Sequence, residues 1–290
     1  MRWKPRAGRR NIEDRRGMGG GLGRGGIPLP VGGGIGGLLV VVLIILFSSG
    51  ALGGGGNSGG IDVPGLPSPS AQPGTATGTP SEERLVDFVD FVAEDVQDSW
   101  VQAFRESSQP YERTKVVIFE NGTNTGCGAA SSETGPFYCP ANRKVYLDLA
   151  FFRDLRDRFG APGDFAQAYV IAHEFGHHIQ NVVGISDQVR QTQQENPDQA
   201  NELSIKLELQ ADCLAGVWAQ SAADEGILEP GDLQEGLVAA EAVGDDRIQK
   251  DATGRIDRES WTHGSSQQRM TWFRRGFDSG DTQACDSFGG

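Results

Sequence analysis

The 290 residues carry 26 basic and 39 acidic side chains, a net charge of −13 that is unevenly spread. Residues 1–60 hold eight Lys/Arg and two acids, net +6, while residues 61–290 are net −19. So acidic a bulk repels phosphate and argues against nucleic acid as a partner, and the length allows one ordinary domain with appendages.

The basic charges come first, in Arg2, Lys4, Arg6, Arg9, Arg10, Arg15, Arg16 and Arg24. An apolar run follows from Ile35 to Leu52, and no charge occurs between Arg24 and Asp62. About 18 to 20 apolar residues suffice to cross a bilayer core. Basic residues ahead of such a run place the N-terminus in the cytoplasm. The expected plan is a basic, Gly-rich cytoplasmic segment at 1–34, a transmembrane helix at 35–52, a Gly/Ser/Pro-rich linker at 53–80 and a folded domain at 81–290. The domain is then extracytoplasmic, on a single-pass protein of a bacterial cytoplasmic membrane. A cleaved signal peptide is the rival reading. The long polar segment before the run and the lack of an A-x-A site after it favour an uncleaved anchor.

From Ser81 the pattern changes. Leu85, Phe88, Val89, Val92, Val96, Trp100 and Phe104 recur at helical spacing and predict an amphipathic helix to about Glu106. Lys115–Phe119 is β-branched and aromatic, and Lys144–Leu149 alternates, so both read as strands. A short helix at Phe151–Phe159 is ended by Gly160. A helix from Asp164 to Val183 is capped by Gly184, and another spans Gln199–Ala223. Two more follow at Leu233–Val243 and Ser265–Phe277, the last with capping-box spacing between Ser265 and Gln268. The expected fold is mainly α with a small antiparallel β-sheet (α+β).

Cysteines number four: Cys127, Cys139, Cys213 and Cys285. Four allow three pairings. Cys127–Cys139 would staple a short Gly/Ser/Pro-rich loop, leaving Cys213–Cys285 to tie the C-terminus to a helix. The alternative for Cys213 is a free thiol in an apolar core. No pair has C-x-x-C spacing, so a cysteine zinc site has little support.

The 164–183 helix carries His173-Glu174-Phe175-Gly176-His177, which uses two of the four histidines. Residues four apart on a helix lie about 40° apart around its axis, so two imidazoles can hold one ion and the glutamate between them can reach a water there. A catalytic zinc needs a third protein ligand and an open position. His178 is turned about 100° from His177 and cannot share the ion. His263 could ligate, but Glu208 is the better candidate. Its helix pairs Glu208 with Asp212 at i, i+4 beside Ala211, Ala215, Gly216 and Ala219, small residues that let two helices approach. Glu208 would bind Zn2+, one ion per chain, and Asp212 would fix the tautomer of a ligating imidazole. Glu174 would be the general base for a zinc-activated water. His263 and Arg269 are candidates for oxyanion stabilisation, and Arg269 also for orienting Asp212. Read alone, an i, i+4 acid pair is a solvated helix face and His263 a loop residue. Two histidines and a carboxylate also suit non-haem iron. An extended peptide would lie along a free strand edge, for which Lys144–Leu149 is the candidate.

Further residues extend the pattern. Met1-Arg2-Trp3-Lys4, Asn11-Ile12-Glu13-Asp14-Arg15-Arg16-Gly17, the apolar run, Gly135-Pro136-Phe137-Tyr138-Cys139-Pro140, Val145-Tyr146-Leu147-Asp148-Leu149, His173 to His178, Glu208-Leu209-Gln210-Ala211-Asp212-Cys213 and Thr262-His263-Gly264-Ser265 occur in this order. With these, the chain resembles the bacterial neutral zinc metallopeptidases, the YpfJ-type membrane-anchored proteins. The resemblance implies a zincin-like metallopeptidase domain acting on peptide or protein substrates. The E-x-x-x-D pattern is similar to that of membrane-associated gluzincins, in which the Glu is the third ligand. The alternative is a non-catalytic, zinc-stabilised module that binds peptides or envelope components.

Overall fold

The structure, a computed structural model, describes residues 1–6, 8–17 and 78–289. Among them are strands β1 (Ile12–Asp14), β2 (Val116–Phe119), β3 (Gly122–Thr125), β4 (Gly128–Ser131), β5 (Phe137–Cys139) and β6 (Lys144–Asp148). The helices are α1 (Pro80–Glu106), α2 (Ala150–Asp157), α3 (Asp164–Val182), α4 (Ile185–Glu195), α5 (Ala200–Asp224), α6 (Asp232–Ala242), α7 (Asp245–Thr253) and α8 (Ser266–Ser279). The fold is mainly helical, as expected, with a small sheet.

That sheet is mixed rather than antiparallel, a correction to the sequence reading. Its order is β1-β2-β6-β5. β1 runs parallel to β2 with Ile12 opposite Val116, and β2 runs parallel to β6 with Val116 opposite Val145. Only β5 is antiparallel, pairing Phe137 with Tyr146. β3 and β4 form a separate hairpin. Every residue of β2 is buried, as expected for an inner strand covered on both faces. The two-residue period sorts its side chains. Val116 and Ile118, with Val145 and Leu147, join the main core under α1 and α3, while Val117 and Phe119 pack with Phe137 and Tyr146 on the other face. β6 is therefore internal, and the free edge beyond it belongs to β5.

α1 begins with a capping box in which the Thr79 and Glu82 side chains each bond the other's backbone N–H, and Pro80 fills the first turn. α5 and α8 pack backbone to backbone. A Cβ added at Gly216 would fall 2.1 Å from the Phe273 carbonyl oxygen, and one at Gly276 would fall 1.9 Å from that of Cys213. Both disulfides are present: Cys127–Cys139 ties β5 to the β3–β4 hairpin, and Cys213–Cys285 ties α5 to the C-terminal turn.

The expected localisation is overturned. Among the described residues no helix is long and apolar enough to cross a membrane. The 35–52 run, expected to be the transmembrane helix, and residues 53–77 of the expected linker lie outside the described residues. The described part of the N-terminal segment, residues 1–6 and 8–17, expected on the cytoplasmic face, is instead built into the domain. Besides forming β1, it sends Arg9 to Glu83 and Asp87 and lays Trp3 against Phe88 at 5.2 Å between ring centroids. Asn11 is buried and its side chain bonds Asp90 and Gln97 of α1. A strand and the sheet it hydrogen-bonds to lie on the same side of any bilayer. A cytoplasmic N-terminus with this domain outside is therefore not the arrangement.

Candidate metal centre

α3 and α5 cross with almost no space between them. Gly176, inside the H-E-x-x-H run, makes this possible: a Cβ there would lie 2.9 Å from the Ala211 carbonyl oxygen and 3.0 Å from its Cα. Ala211 is itself small and fully buried. The close crossing puts Glu208, one turn before it on α5, opposite the two histidines of α3. His173 Nε2 is 3.2 Å from Glu208 Oε2 and His177 Nε2 is 3.3 Å from Glu208 Oε1. Ligand atoms of all three residues lie within 4.8 Å of one another.

Each imidazole is held from behind. His173 Nδ1–H donates to Asp212 Oδ1 at 2.8 Å, which leaves its Nε2 for a cation. Asp212 is fully buried and takes two further bonds from Arg269, Nε to Oδ2 and Nη2 to Oδ1, both 2.9 Å, as well as the Tyr169 hydroxyl. Burial would raise the Asp212 pKa, but the Arg269 guanidinium and His173 hold it below the ordinary value. His177 Nδ1–H donates to Gln180 Oε1 at 2.8 Å, and the Gln180 amide nitrogen is fixed on the carbonyl of Leu207 at 2.7 Å.

The electrostatics ask for positive charge at the centre. Burial opposes protonation of His173, yet Asp212 and Glu208 raise its pKa to about 10. Burial would raise Glu208, but the nearby His263 and His177 hold it well below the carboxylate range. Two imidazole nitrogens and a carboxylate aimed at one point suit a small divalent cation. The donor set matches zinc, and the residues fit the ion that the sequence implies.

Glu174 is buried and lines a cleft of about 260 Å3 together with all three candidate ligands. Burial raises its pKa, the direction that suits a proton acceptor working near neutrality. His263 lines the same cleft. Its Nδ1 lies 3.0 Å from Thr262 Oγ1 and 3.3 Å from Asp245 Oδ1. Burial lowers its pKa, but Glu208 and Asp245 outweigh this and raise it. Asp245 Oδ2 also accepts the backbone N–H groups of Thr262, His263 and Gly264 at 2.7–3.0 Å, which fixes the loop.

The sequence singled out His173, Glu174, His177, Glu208, Asp212, His263 and Arg269, and the structure brings all seven to one cleft or its immediate backing. His178 points away as its 100° offset requires. It is fully buried, donates through Nε2 to the Glu112 carbonyl at 2.7 Å, and accepts the Tyr138 hydroxyl at Nδ1 at 3.0 Å. Asn181 also donates to that hydroxyl at 3.0 Å, so the outer strand β5 is tied to α3. Sequence reasoning missed Gln180, Asp245 and Tyr138. Only Gln180 carried a local signal, three residues beyond His177 on the same helix face.

Two histidines and a glutamate from crossing helices, each imidazole oriented by a buried acceptor, form a site of the H-E-x-x-H type that could hold a metal ion. The chain matches the family described as "Putative neutral zinc metallopeptidase" over residues 1–288. It belongs to that family. It is 46% identical over 294 residues to "Uncharacterized protein YpfJ" of Escherichia coli strain K12, covering 100% of this chain and 99% of that protein. It is 47% identical over 189 residues to "Uncharacterized protein Rv2575" of Mycobacterium tuberculosis strain H37Rv, covering 61% of this chain and 63% of that protein. No solved structure matches the chain significantly.

Proposed function

We propose that this protein is a zinc-dependent endopeptidase with a zincin-like catalytic site, and that Glu174 is its general base. The observation that carries the reading is the convergence of His173, His177 and Glu208 within 4.8 Å, with buried Glu174 in the same cleft. Zn2+, when bound, supplies Lewis acidity and lowers the pKa of water toward neutrality. His173, His177 and Glu208 hold the ion. Asp212 keeps the His173 proton on Nδ1, and Gln180 does the same for His177. Glu174 takes a proton from the attacking water and returns it to the leaving amine. His263 donates from Nε2 toward the oxygen that gains charge as the carbonyl is attacked, with its Nδ1 held beside Asp245 at 3.3 Å. Arg269 acts through Asp212, on which it makes two bonds, and is a positioning residue.

The substrate is a peptide in extended form. β5 ends the sheet, and Thr134–Tyr138 lines the cleft beside the metal helix. A peptide backbone can add to that edge as a further strand.

The test compares wild type with Glu174→Gln, purified and loaded with one equivalent of zinc. The variant should keep its zinc and lose cleavage of an unfolded protein by on the order of 10²-fold or more. A wild-type protein that holds zinc and cleaves nothing supports a binding module instead.

A further inference from the structure

The cleft is chemically asymmetric along α3. Val170, His173, His177 and Gln180 succeed one another along about 15 Å of helix, and all line the cleft. Around the Gln180 end the lining is more polar, with Ser186, Arg190, Gln193 and Ser204 beside Leu207. Around the Val170 end it is Phe151, Phe159, Val243 and Ile248.

The apolar wall is assembled deliberately. Phe151 and Phe159 face each other at 6.3 Å between ring centroids. Arg247 of α7 donates to the Phe159 carbonyl at 3.0 Å, which brings Ile248 beside the end of α2. Gly135, at φ +71°, sets the chain before β5 against Phe151, since a Cβ there would sit 3.9 Å from that ring. Phe151, Phe159, Val243 and Ile248 each remain partly exposed although they sit in a concavity. Apolar surface left open in a concave site beside a reactive centre favours an apolar occupant. The cleft volume of about 260 Å3 lies just under the range usual for whole small-molecule ligands, about 300–1,000 Å3, so it suits one or two side chains.

We propose that Phe151, Phe159, Val170, Val243 and Ile248 form a specificity pocket for a large apolar side chain on a residue flanking the cleaved bond. This rests on the peptidase reading for the word cleaved, and on the cleft alone for the preference. Substrates are then unfolded or extended segments presenting Leu, Phe, Met or Ile, and folded proteins that bury such residues are spared. Hydrophobic discrimination by such a pocket is on the order of ten- to a hundredfold between a large side chain and alanine.

The experiment uses two readouts on one randomised peptide library. Zinc-loaded Glu174→Gln protein is used to capture peptides, and zinc-loaded wild type is used to cut them, with cut positions mapped by mass spectrometry. Expected are captured peptides enriched in large apolar residues, and the same residues enriched about tenfold or more at one position flanking the cut. Ile248→Arg, which sets a guanidinium in the wall, should shift both readouts toward Asp and Glu. Ile248→Ala, a milder change at this partly exposed position, should only weaken the preference. Cutting with no side-chain preference overturns the pocket and leaves the peptidase reading standing. Apolar capture without cutting supports the pocket and overturns the peptidase reading. Neither capture nor cutting overturns both.

Discussion

Two buried aspartates show how partners decide what a carboxylate does here. Asp212 faces a guanidinium and an imidazole and stays ionised in the core. Asp95, on α1, is 7% exposed and accepts only the Trp218 indole N–H, at 2.8 Å. Burial therefore dominates, and its pKa rises to about 6 from 3.8. The fold tolerates the protonated form better than the ionised one. The stability tied to Asp95 is fully present below about pH 4 and is lost as the pH rises through 6. By pH 8 keeping this side chain ionised in the core costs roughly 3 kcal/mol, because each tenfold loss of acidity on folding is worth about 1.4 kcal/mol. Asparagine keeps an acceptor for Trp218 and carries no charge. Asp95→Asn should stabilise the protein by up to about 3 kcal/mol at pH 8 and by almost nothing at pH 4. Urea denaturation of both proteins at the two pH values checks this, and a gain that is equal at both would refute the assignment. The site residues themselves were legible because their chemistry forces a spacing: i, i+4 for two imidazoles, i, i+4 again for Glu208 and Asp212. Asp245 was not, because it acts through space on a loop about twenty residues away.

At the level of elements, the metal centre is a crossing of α3 and α5, and glycine sets its distance. Gly176 follows Phe175 inside the motif and meets Ala211 at van der Waals contact. Gly176→Ala adds a methyl where backbone atoms stand 2.9–3.0 Å away, so the helices must separate by a few tenths of an ångström. The expected cost to the fold is about 1–3 kcal/mol. The larger effect falls on the ion, because Glu208 moves away from both imidazoles together. Zinc affinity should drop by on the order of 10- to 100-fold, the effect typical of disturbed ligand support. Competition with a chelator measures it, and unchanged affinity would show that α5 reaches the site without the close crossing. The small residues of α5 made this crossing readable in sequence. Elements with an apolar stripe, such as α1, α5 and α8, were readable for the same reason. α4 and α7 were not: the one buried residue of α4 is Val189 and that of α7 is Asp245, so neither presents a periodic apolar face.

On the scale of the whole molecule, the surprise is at the start of the chain. β1 is three residues, two of them acids, and it gives no strand signal of its own. It and its flanks are held by partners far along the sequence: Glu13 by Lys144, Asn11 by α1, and Arg16 by Glu83. Long-range pairing of this kind is invisible to local pattern. A basic segment ahead of an apolar run reads as a topology signal, yet Arg6, Arg9 and Arg16 pair with acids of α1. The same contacts bring two distant points of the chain together. A Cβ added at Gly78 would lie 2.6 Å from Arg16 Nη1, so the described residues on either side of 18–77 lie within reach of one arginine side chain. Joining them directly therefore needs only a short bridge. Replacing residues 18–77 by about six Gly/Ser residues should leave β1 docked and zinc binding intact. Deleting residues 1–77 outright should destabilise the domain, since it strips the β2 edge and leaves Glu83, Asp87 and Asp90 of α1 without their cationic and amide partners. Equal stability of the bridged and truncated proteins in chemical denaturation would show that the N-terminal strand contributes nothing to the fold.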